Sequence, residues 1–320
     1  MIVSKDGSGD FTTIQQAINS IPENNCIRIT VHIKNGIYKE KLYINRRFIT
    51  LLGENKKETV LTYDDHANVI LESGENMGTF NSYSTFIGGD DFIAQNLTFE
   101  NKAGRVGQAL AAYIDGDRVS FKNCRFLGYQ DTIFTGALPS KPMQTNTFFR
   151  GPRTPADGRS VRLYFEDCYI SGDVDFIFGA ATTLFNKCEI YCEDRNSKVN
   201  GYITAASTPE DQEFGYVFLD CKVTSNASPE TFYLGRPWRN YARVAYINCW
   251  MGEHIKAEGW NNWSKVQAEQ TTKYEEYKST GPGGKMDKRV PWAKILTTEE
   301  AEKYTISNVL ASSDNWDPRL

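Results

Sequence analysis

At 320 residues the chain is long enough for two average domains or for one large all-β unit, and its 40% hydrophobic and 13% aromatic content supplies a sizeable core. Its net charge of −4 is spread over interspersed signs, without the basic footprint of a nucleic-acid binder. No run approaches the ~18 consecutive apolar residues of a membrane span, so a soluble protein with neither nucleic-acid nor membrane partners is expected.

The first predicted element is a helix. Thr12-Thr13-Ile14-Gln15 has capping-box form, Ile14, Ala17, Ile18 and Ile21 follow helical spacing, and Pro22 stops the run. Such an amphipathic helix reads as a lid on one end of a core. From Cys26 onward the pattern changes to short β-rich runs over 27–33, 38–44 and 48–52, separated by Gly, Asn and charged turns.

An internal repeat follows. Phe-Lys-Asn-Cys-Arg-Phe at 121–126, Phe-Glu-Asp-Cys-Tyr-Ile at 165–170, Phe-Asn-Lys-Cys-Glu-Ile at 185–190, Leu-Asp-Cys-Lys-Val at 219–223 and Ile-Asn-Cys-Trp-Met at 247–251 share a β-prone position, a small or polar pair and then Cys. An upstream cousin at 94–99 carries Leu97 in the Cys position, and successive intervals from Leu97 are 27, 44, 20, 33 and 28 residues. Periods of this size with short strands mark a solenoid whose coils bury one another's apolar faces. A right-handed parallel β-helix fits best, as one domain over 1–320. Each Cys becomes an inward rung of a ladder with the ~4.8 Å spacing of neighbouring strands. Cys168 and Cys188 then lie close enough for a disulfide in an oxidising compartment; proximity is expected, oxidation is left open.

Residues 138–160 are rich in Pro, Gly, Thr and Arg and lengthen one coil, as an inserted loop. Lys141, Arg150, Arg153 and Arg159 stand there against Asp157 alone. The loop is either a solvated surface segment or a cationic wall beside a cleft for an acidic polymer. Residues 267–289 read as a polar excursion, and Thr297-Thr298-Glu299-Glu300 opens a short terminal helix with capping-box form.

Four stretches concentrate polar groups amid β-prone or aromatic sequence: Gly107-Gln108-Ala109-Leu110, Gly128-Tyr129-Gln130-Asp131-Thr132, Gly172-Asp173-Val174-Asp175-Phe176-Ile177-Phe178-Gly179, and Leu234-Gly235-Arg236-Pro237-Trp238. Strand alternation puts Asp173 and Asp175 on one face and Val174, Phe176 and Phe178 on the other. Gln108 and Gln130 are about one coil apart, and Asp131 and Asp175 one coil plus the insertion. Stacking therefore gathers these residues on adjacent strands. The seven cysteines lack C-x-x-C pairs and the three histidines are scattered, which disfavours a metal cluster or a Ser-His-Asp triad.

These four stretches, with Asp6-Gly7-Ser8-Gly9-Asp10-Phe11 and Gly36-Ile37-Tyr38-Lys39-Glu40, resemble in order the signature set of the pectin methylesterase family, carbohydrate esterases on a right-handed parallel β-helix. The resemblance runs from about Val3 to Trp316. It implies an esterase that needs no cofactor or metal, acts as a monomer on pectin or oligogalacturonides, and releases methanol. It puts the nucleophile on Asp175, the acid/base on Asp131, the anion-hole glutamines on Gln108 and Gln130, and the orienting arginine on Arg236. Trp238, Phe178 and Phe134 match sugar-contacting aromatics. For Phe178 this conflicts with alternation, which points it inward beside Phe176 unless the strand bends. Asp173 is left in a supporting role.

The 138–160 insertion is longer than in typical plant members and is expected to affect the preferred substrate length. Met1–Lys5 carry no charged segment followed by an apolar one, so intracellular action on oligomers and secretion after signal removal both remain open. Competing readings are a pectin-active hydrolase, towards which Asp90-Asp91 points, a calcium-dependent lyase, and a non-catalytic carbohydrate-binding solenoid. The histidine motif of the first and a carboxylate cluster for the second are not found in the sequence.

Overall fold

The structure, a computed structural model, describes residues 1–138, 150–153 and 158–319. It is a parallel β-helix. Three sheets of eleven, eight and seven strands run along the molecule, and each strand pairs in parallel with its counterparts on the preceding and following coils. The large sheet is continuous from Ile2–Val3 to Lys294–Ile295. No helix among the described residues is long and apolar enough to cross a membrane.

The repeat seen in the sequence marks one corner of every coil. Phe121 stacks on Phe165 at 4.8 Å, Phe165 on Phe185 at 4.9 Å, Phe185 on Phe218 at 4.6 Å and Phe218 on Tyr246 at 4.4 Å. Each ring lies three residues before a Cys, so the repeat is better read as aromatic-x-x-Cys than as the Leu- and Ile-led strings at 219 and 247. The residue before each of these five Cys turns the chain in a left-handed conformation: Asn123, Asp167, Lys187, Asp220 and Asn248 have φ between 51° and 54°. Asn96 before Leu97 does the same at 56°. Asn and Asp tolerate that conformation best among L-residues, which explains their recurrence. The thiols of Cys124, Cys168, Cys188, Cys221 and Cys249 are buried, free, and directed at backbone carbonyls of the previous coil. Cys168 and Cys188 are on adjacent rungs, as expected, and unbonded to each other.

Several expectations shift. The first helix is Ile14–Asn19, and its cap is Thr13, whose hydroxyl accepts from the Gln16 amide. No capping box from Thr12 and Gln15 forms; the Glu40 carboxylate accepts from the Ile14 and Gln15 amides instead, both at 3.0 Å. The run 38–44 divides into Gly36–Lys39 and Leu42–Ile44, which belong to different sheets. The stretch 267–289 is not wholly an excursion, because Lys273–Tyr277 pairs with Arg243–Ile247 and continues the large sheet. The terminal capping box forms as read, between Thr297 and Glu300.

Of the inserted stretch, Leu138, 150–153 and 158–160 are described; Lys141 and Asp157 lie outside the described residues. The three arginines are engaged by the body of the protein. Arg150 pairs with Glu75, Arg153 Nε lies 3.0 Å from Asp115 Oδ2, and Arg159 Nη1 lies 3.1 Å from Asp90 Oδ1. Among the described residues, Arg153 and Arg159 are tied to earlier coils, while Arg150 stays largely exposed in its pair with Glu75.

Candidate active site

The seven-stranded sheet carries the site. Its strands, in spatial order, are Leu42–Ile44, Thr85–Ile87, Ala112–Ile114, Ile133–Thr135, Val174–Gly179, Gly201–Ala206 and Phe232–Pro237. The inward face contributes Ile87, Ile114, Ile133 and Ile177 to the main core. The outward face carries a row of directly paired residues: Tyr43, Phe86, Tyr113, Phe134, Phe178, Ala205 and Arg236. The row is aromatic until Ala205, whose small side chain leaves space beside Arg236.

That space is a cleft of about 270 Å³. It brings together Gln108, Gln130, Asp131, Asp175, Arg236, Phe178 and Trp238, joined by Thr79, Phe80, Ala205 and Trp263. Phe134 is not among the lining residues. It is fully buried, with Phe80 packed edge-on over it at 5.1 Å and Phe178 beside it at 5.1 Å. Its sequence-based assignment as a sugar contact therefore meets a physical obstacle: it supports the cleft floor from below.

Asp175 breaks the alternation of its strand. Its φ is 51°, and the register with Gly201–Ala206 shifts between Val174 and Ile177, a β-bulge. Phe176 and Ile177 consequently both enter the core, and Phe178 turns outward into the aromatic cluster over the sheet. The bulge is the bend that the Phe178 assignment required. Asp131 has the same left-handed backbone, φ 64°, and the pairing of Ile133 with Ile177 puts the two aspartates at equivalent places on adjacent coils. The Asp131 amide donates to the Val174 carbonyl at 3.0 Å. Non-glycine residues held there are uncommon and concentrate at functional sites.

The electrostatics of the two carboxylates differ. Arg236 donates to both oxygens of Asp175, from Nε at 2.8 Å and Nη2 at 2.5 Å. Burial raises Asp175 above its ordinary pKa, and Arg236 opposes that rise. Asp131 is raised much further, first by burial and then by the negative charge of Asp175. A single proton on the pair therefore resides on Asp131. Gln108 and Gln130 are held on neighbouring coils by the Ala109 amide donating to the Gln130 carbonyl at 3.2 Å. Among the described residues their carboxamides have no hydrogen-bond partner, so their N–H groups are available to an anion in the cleft.

Asp173 is not among the residues lining the cleft, though its charge adds to the rise of Asp131. Arg105 Nε donates to Asp173 Oδ2 at 3.0 Å, and Asp173 Oδ1 accepts from the Val174 amide at 2.7 Å, which anchors the residue entering the bulge.

Sequence reasoning missed the residues that hold Arg236. Its guanidinium lies between the rings of Tyr202, 3.8 Å away, and Trp263, 3.7 Å away. Tyr202 is itself stacked on Tyr233 at 5.4 Å. Lys265 donates to the Pro237 carbonyl at 2.6 Å and the Trp238 carbonyl at 3.1 Å, tying the end of the arginine's strand to the Trp263 loop. The unexplained tryptophans of Trp260-Asn261-Asn262-Trp263 were the available signal; Tyr202 gave none.

The Asp90-Asp91 pair is remote from these groups in its contacts. Asp91 is held by Arg118 through two hydrogen bonds of 2.7 and 2.8 Å, and Asp90 by Arg159 and Arg47. It serves a surface ion-pair network.

The Pectinesterase family profile matches residues 1–140 and 156–313. The chain belongs to the pectinesterase family. Pectinesterase 31 of Arabidopsis thaliana is 39% identical over 310 residues, which cover 94% of this chain and 89% of that protein. Pectinesterase QRT1 of the same plant is 33% identical, with 99% and 78% covered. Among solved structures, a pectin methylesterase in complex with a hexasaccharide superposes with a TM-score of 0.81 at 30% identity, covering 100% of this chain and 98% of that one. A pectin methylesterase from Erwinia chrysanthemi gives a TM-score of 0.81 at 29% identity, with 99% and 97% covered. The pectinesterase match omits residues 141–155, which fall inside the stretch read from sequence as an insertion.

Proposed function

We propose that this pectinesterase removes methyl groups from methyl-esterified homogalacturonan or its oligomers, releasing methanol, with Asp175 as nucleophile. The observation that carries the reading is the division of labour between two stacked aspartates: Arg236 grips Asp175, while burial and that neighbouring charge keep the proton on Asp131.

The ionised Asp175 carboxylate attacks the ester carbonyl. The resulting oxyanion accepts hydrogen bonds from the carboxamide N–H groups of Gln108 and Gln130. Collapse breaks the carbonyl–methoxy bond; Asp131 gives its proton to the leaving oxygen, and methanol departs from an anhydride between Asp175 and the sugar carboxyl. Asp131, now ionised, takes a proton from water as that water attacks the anhydride. The sugar carboxylate leaves, Asp175 is regenerated, and the product's second proton passes to solvent. Trp238 and Phe178 supply apolar faces to the sugar ring.

Methanol release from methylated polygalacturonate, with EDTA present and chain length followed, tests the reading. Methanol without chain shortening is expected, and Asp175→Ala should abolish it while retaining substrate binding. Chain shortening without methanol would favour a hydrolase or lyase, and turnover by Asp175→Ala at the wild-type rate would remove Asp175 as nucleophile.

A further inference from the structure

One side chain joins the same corner of four successive coils. The corner is the turn by which the chain leaves the eight-stranded sheet and enters the seven-stranded one, and the polar site residues stand at its exit. Arg105 lies in this turn on the coil of Thr98–Asn101 and Ala112–Ile114. Its guanidinium lies over the Tyr129 ring, 4.4 Å away on the next coil. It donates from Nε to Asp173 Oδ2 at 3.0 Å on the third coil, and from Nη2 to the Asp194 carbonyl at 2.7 Å on the fourth.

Each of the first three positions is close in sequence to a group of the site. Gln108 comes three residues after Arg105, Gln130 and Asp131 follow Tyr129, and Asp175 comes two residues after Asp173. The turns differ in length: ten residues separate Asn101 from Ala112, five separate Leu127 from Ile133, and one separates Gly172 from Val174. Turns so unequal cannot follow one another as strands do in a ladder, so their relative placement rests on individual contacts.

The longest turn depends on them most. Gly104 and Gly107, with φ of 81° and 120°, bracket Arg105 and Val106, and glycine lets a backbone pivot where other residues resist. From the preceding coil the segment is held by the Ala67 amide donating to the Gln108 carbonyl and the Asn68 carboxamide donating to the Val106 carbonyl, both at 2.8 Å. Arg105 ties it to the coils that follow. Its anchor is firm: the Asp173 side chain is only 3% exposed, and the Val174 residue that donates to Asp173 Oδ1 in turn accepts from the Asp131 amide. Arg195 stands further from the same carboxylate, at 4.0 Å, and donates to the Asn200 carbonyl.

We infer that Arg105 is a positioning residue, a staple that holds the Gln108 turn in register with the turns of Gln130, Asp131 and Asp175 so that both carboxamides converge on one oxyanion. Its catalytic consequence rests on the proposed function; the staple itself does not.

Kinetics and hydrogen exchange test this. Arg105→Gln should lower kcat on a methyl-esterified hexagalacturonate about tenfold and leave KM within about twofold, because the oxyanion contact forms only on the way to the transition state. In a Gln108→Ala background the same substitution should lower kcat less than about twofold, since the group it positions is gone. Arg105→Lys keeps a charge beside buried Asp173, and with it the fold, but lacks the planar face and the fixed fork of donors. It should show the same pattern at smaller size. Wild-type kcat in Arg105→Lys, or equal losses with and without Gln108, overturns the inference. Hydrogen exchange needs no substrate. Arg105→Gln should speed exchange of the Ala109 amide, which donates to the Gln130 carbonyl, and leave the Ala112–Ile114 strand at the wild-type rate. Local acceleration in a protein that releases no methanol would retain the staple and remove the esterase reading. Methanol release with exchange unchanged, or quickened everywhere alike, would remove the staple and leave the esterase reading standing.

Discussion

Arg236 meets Asp175 edge to edge, two nitrogens against two oxygens at 2.8 and 2.5 Å. Each carboxylate oxygen retains a lone pair outside that fork, so the nucleophile is oriented without being used up. A single-point cation cannot reproduce the geometry. Arg236→Lys should therefore lower kcat by about 10²-fold with a much smaller change in KM, a magnitude in line with loss of a charge-stabilising group. Steady-state kinetics check this, and a variant within twofold of wild type would mean that the fork is structural.

The two aspartates set opposite limbs of the pH profile. Activity should fall on the acid side as Asp175 takes up a proton and on the alkaline side as Asp131, raised well above its ordinary range, loses one. The apparent values belong to the pair.

Stability follows the same sign. A carboxyl whose folded pKa is raised contributes fully below its unfolded value of about 3.9 and loses that contribution as pH rises through the folded value. Asp131→Asn removes the cost of holding protonated in the folded state a carboxyl that ionises in the unfolded chain. It should melt above wild type at neutral to alkaline pH while losing about 10²-fold or more in turnover. A lower melting temperature across that range would mean that Asp131 is ionised in the resting protein.

Tyr202 and Trp263 sandwich Arg236 at 3.8 and 3.7 Å. A guanidinium held between two rings loses rotational freedom and gains about 0.5–2 kcal/mol per face. Tyr202→Ala should lower kcat about tenfold and raise the acid limb of the profile, because a loosened Arg236 opposes protonation of Asp175 less well. Tyr202→Phe should restore both. If Tyr202→Ala changes melting alone, the ring only packs.

Cys26 is exposed, and the other six cysteines are buried. A thiol reagent should titrate one group rapidly in the native protein and all seven after unfolding. Recovery of five after unfolding would show one disulfide, and mapping would then tell whether Cys168 and Cys188 form it.

Residues 141–155 are outside the pectinesterase match; within them Arg150 and Arg153 pair with Glu75 and Asp115, and just beyond them Arg159 pairs with Asp90. Replacing residues 141–155 with a short linker should leave methanol release intact and change the dependence of kcat/KM on oligomer length. An identical length profile would mean that the loop takes no part in choosing substrate.

The sequence made the coil legible because a coil repeats: at five corners a Cys follows a left-handed residue, Asn or Asp in all but Lys187, and an aromatic stands three residues before it. It made the polar site legible because stacking converts spacing into neighbourhood, as for Asp131 and Asp175. Alternation failed at Asp175 because one residue in a left-handed conformation resets the faces downstream, sending Phe178 outward. Phe134 shares that outward face, and only the packing of Phe80, from a distant coil, shows that it is covered. Tyr202 stayed invisible for the same reason: its importance lies wholly in a cross-coil contact.

The aromatic-x-x-Cys corner has a wider consequence. Between Val119–Lys122 and Arg125–Leu127, and again between Arg162–Glu166 and Tyr169–Gly172, the chain spends two residues on the turn. The intervals from one Cys to the next nevertheless range from 20 to 44 residues. All of that variation is exported to the other two corners, which flank the seven-stranded sheet with its cleft. The molecule thus behaves like a bound book: one edge is sewn at fixed pitch, and pages of any width can be trimmed or extended at the open edge, where substrate is read.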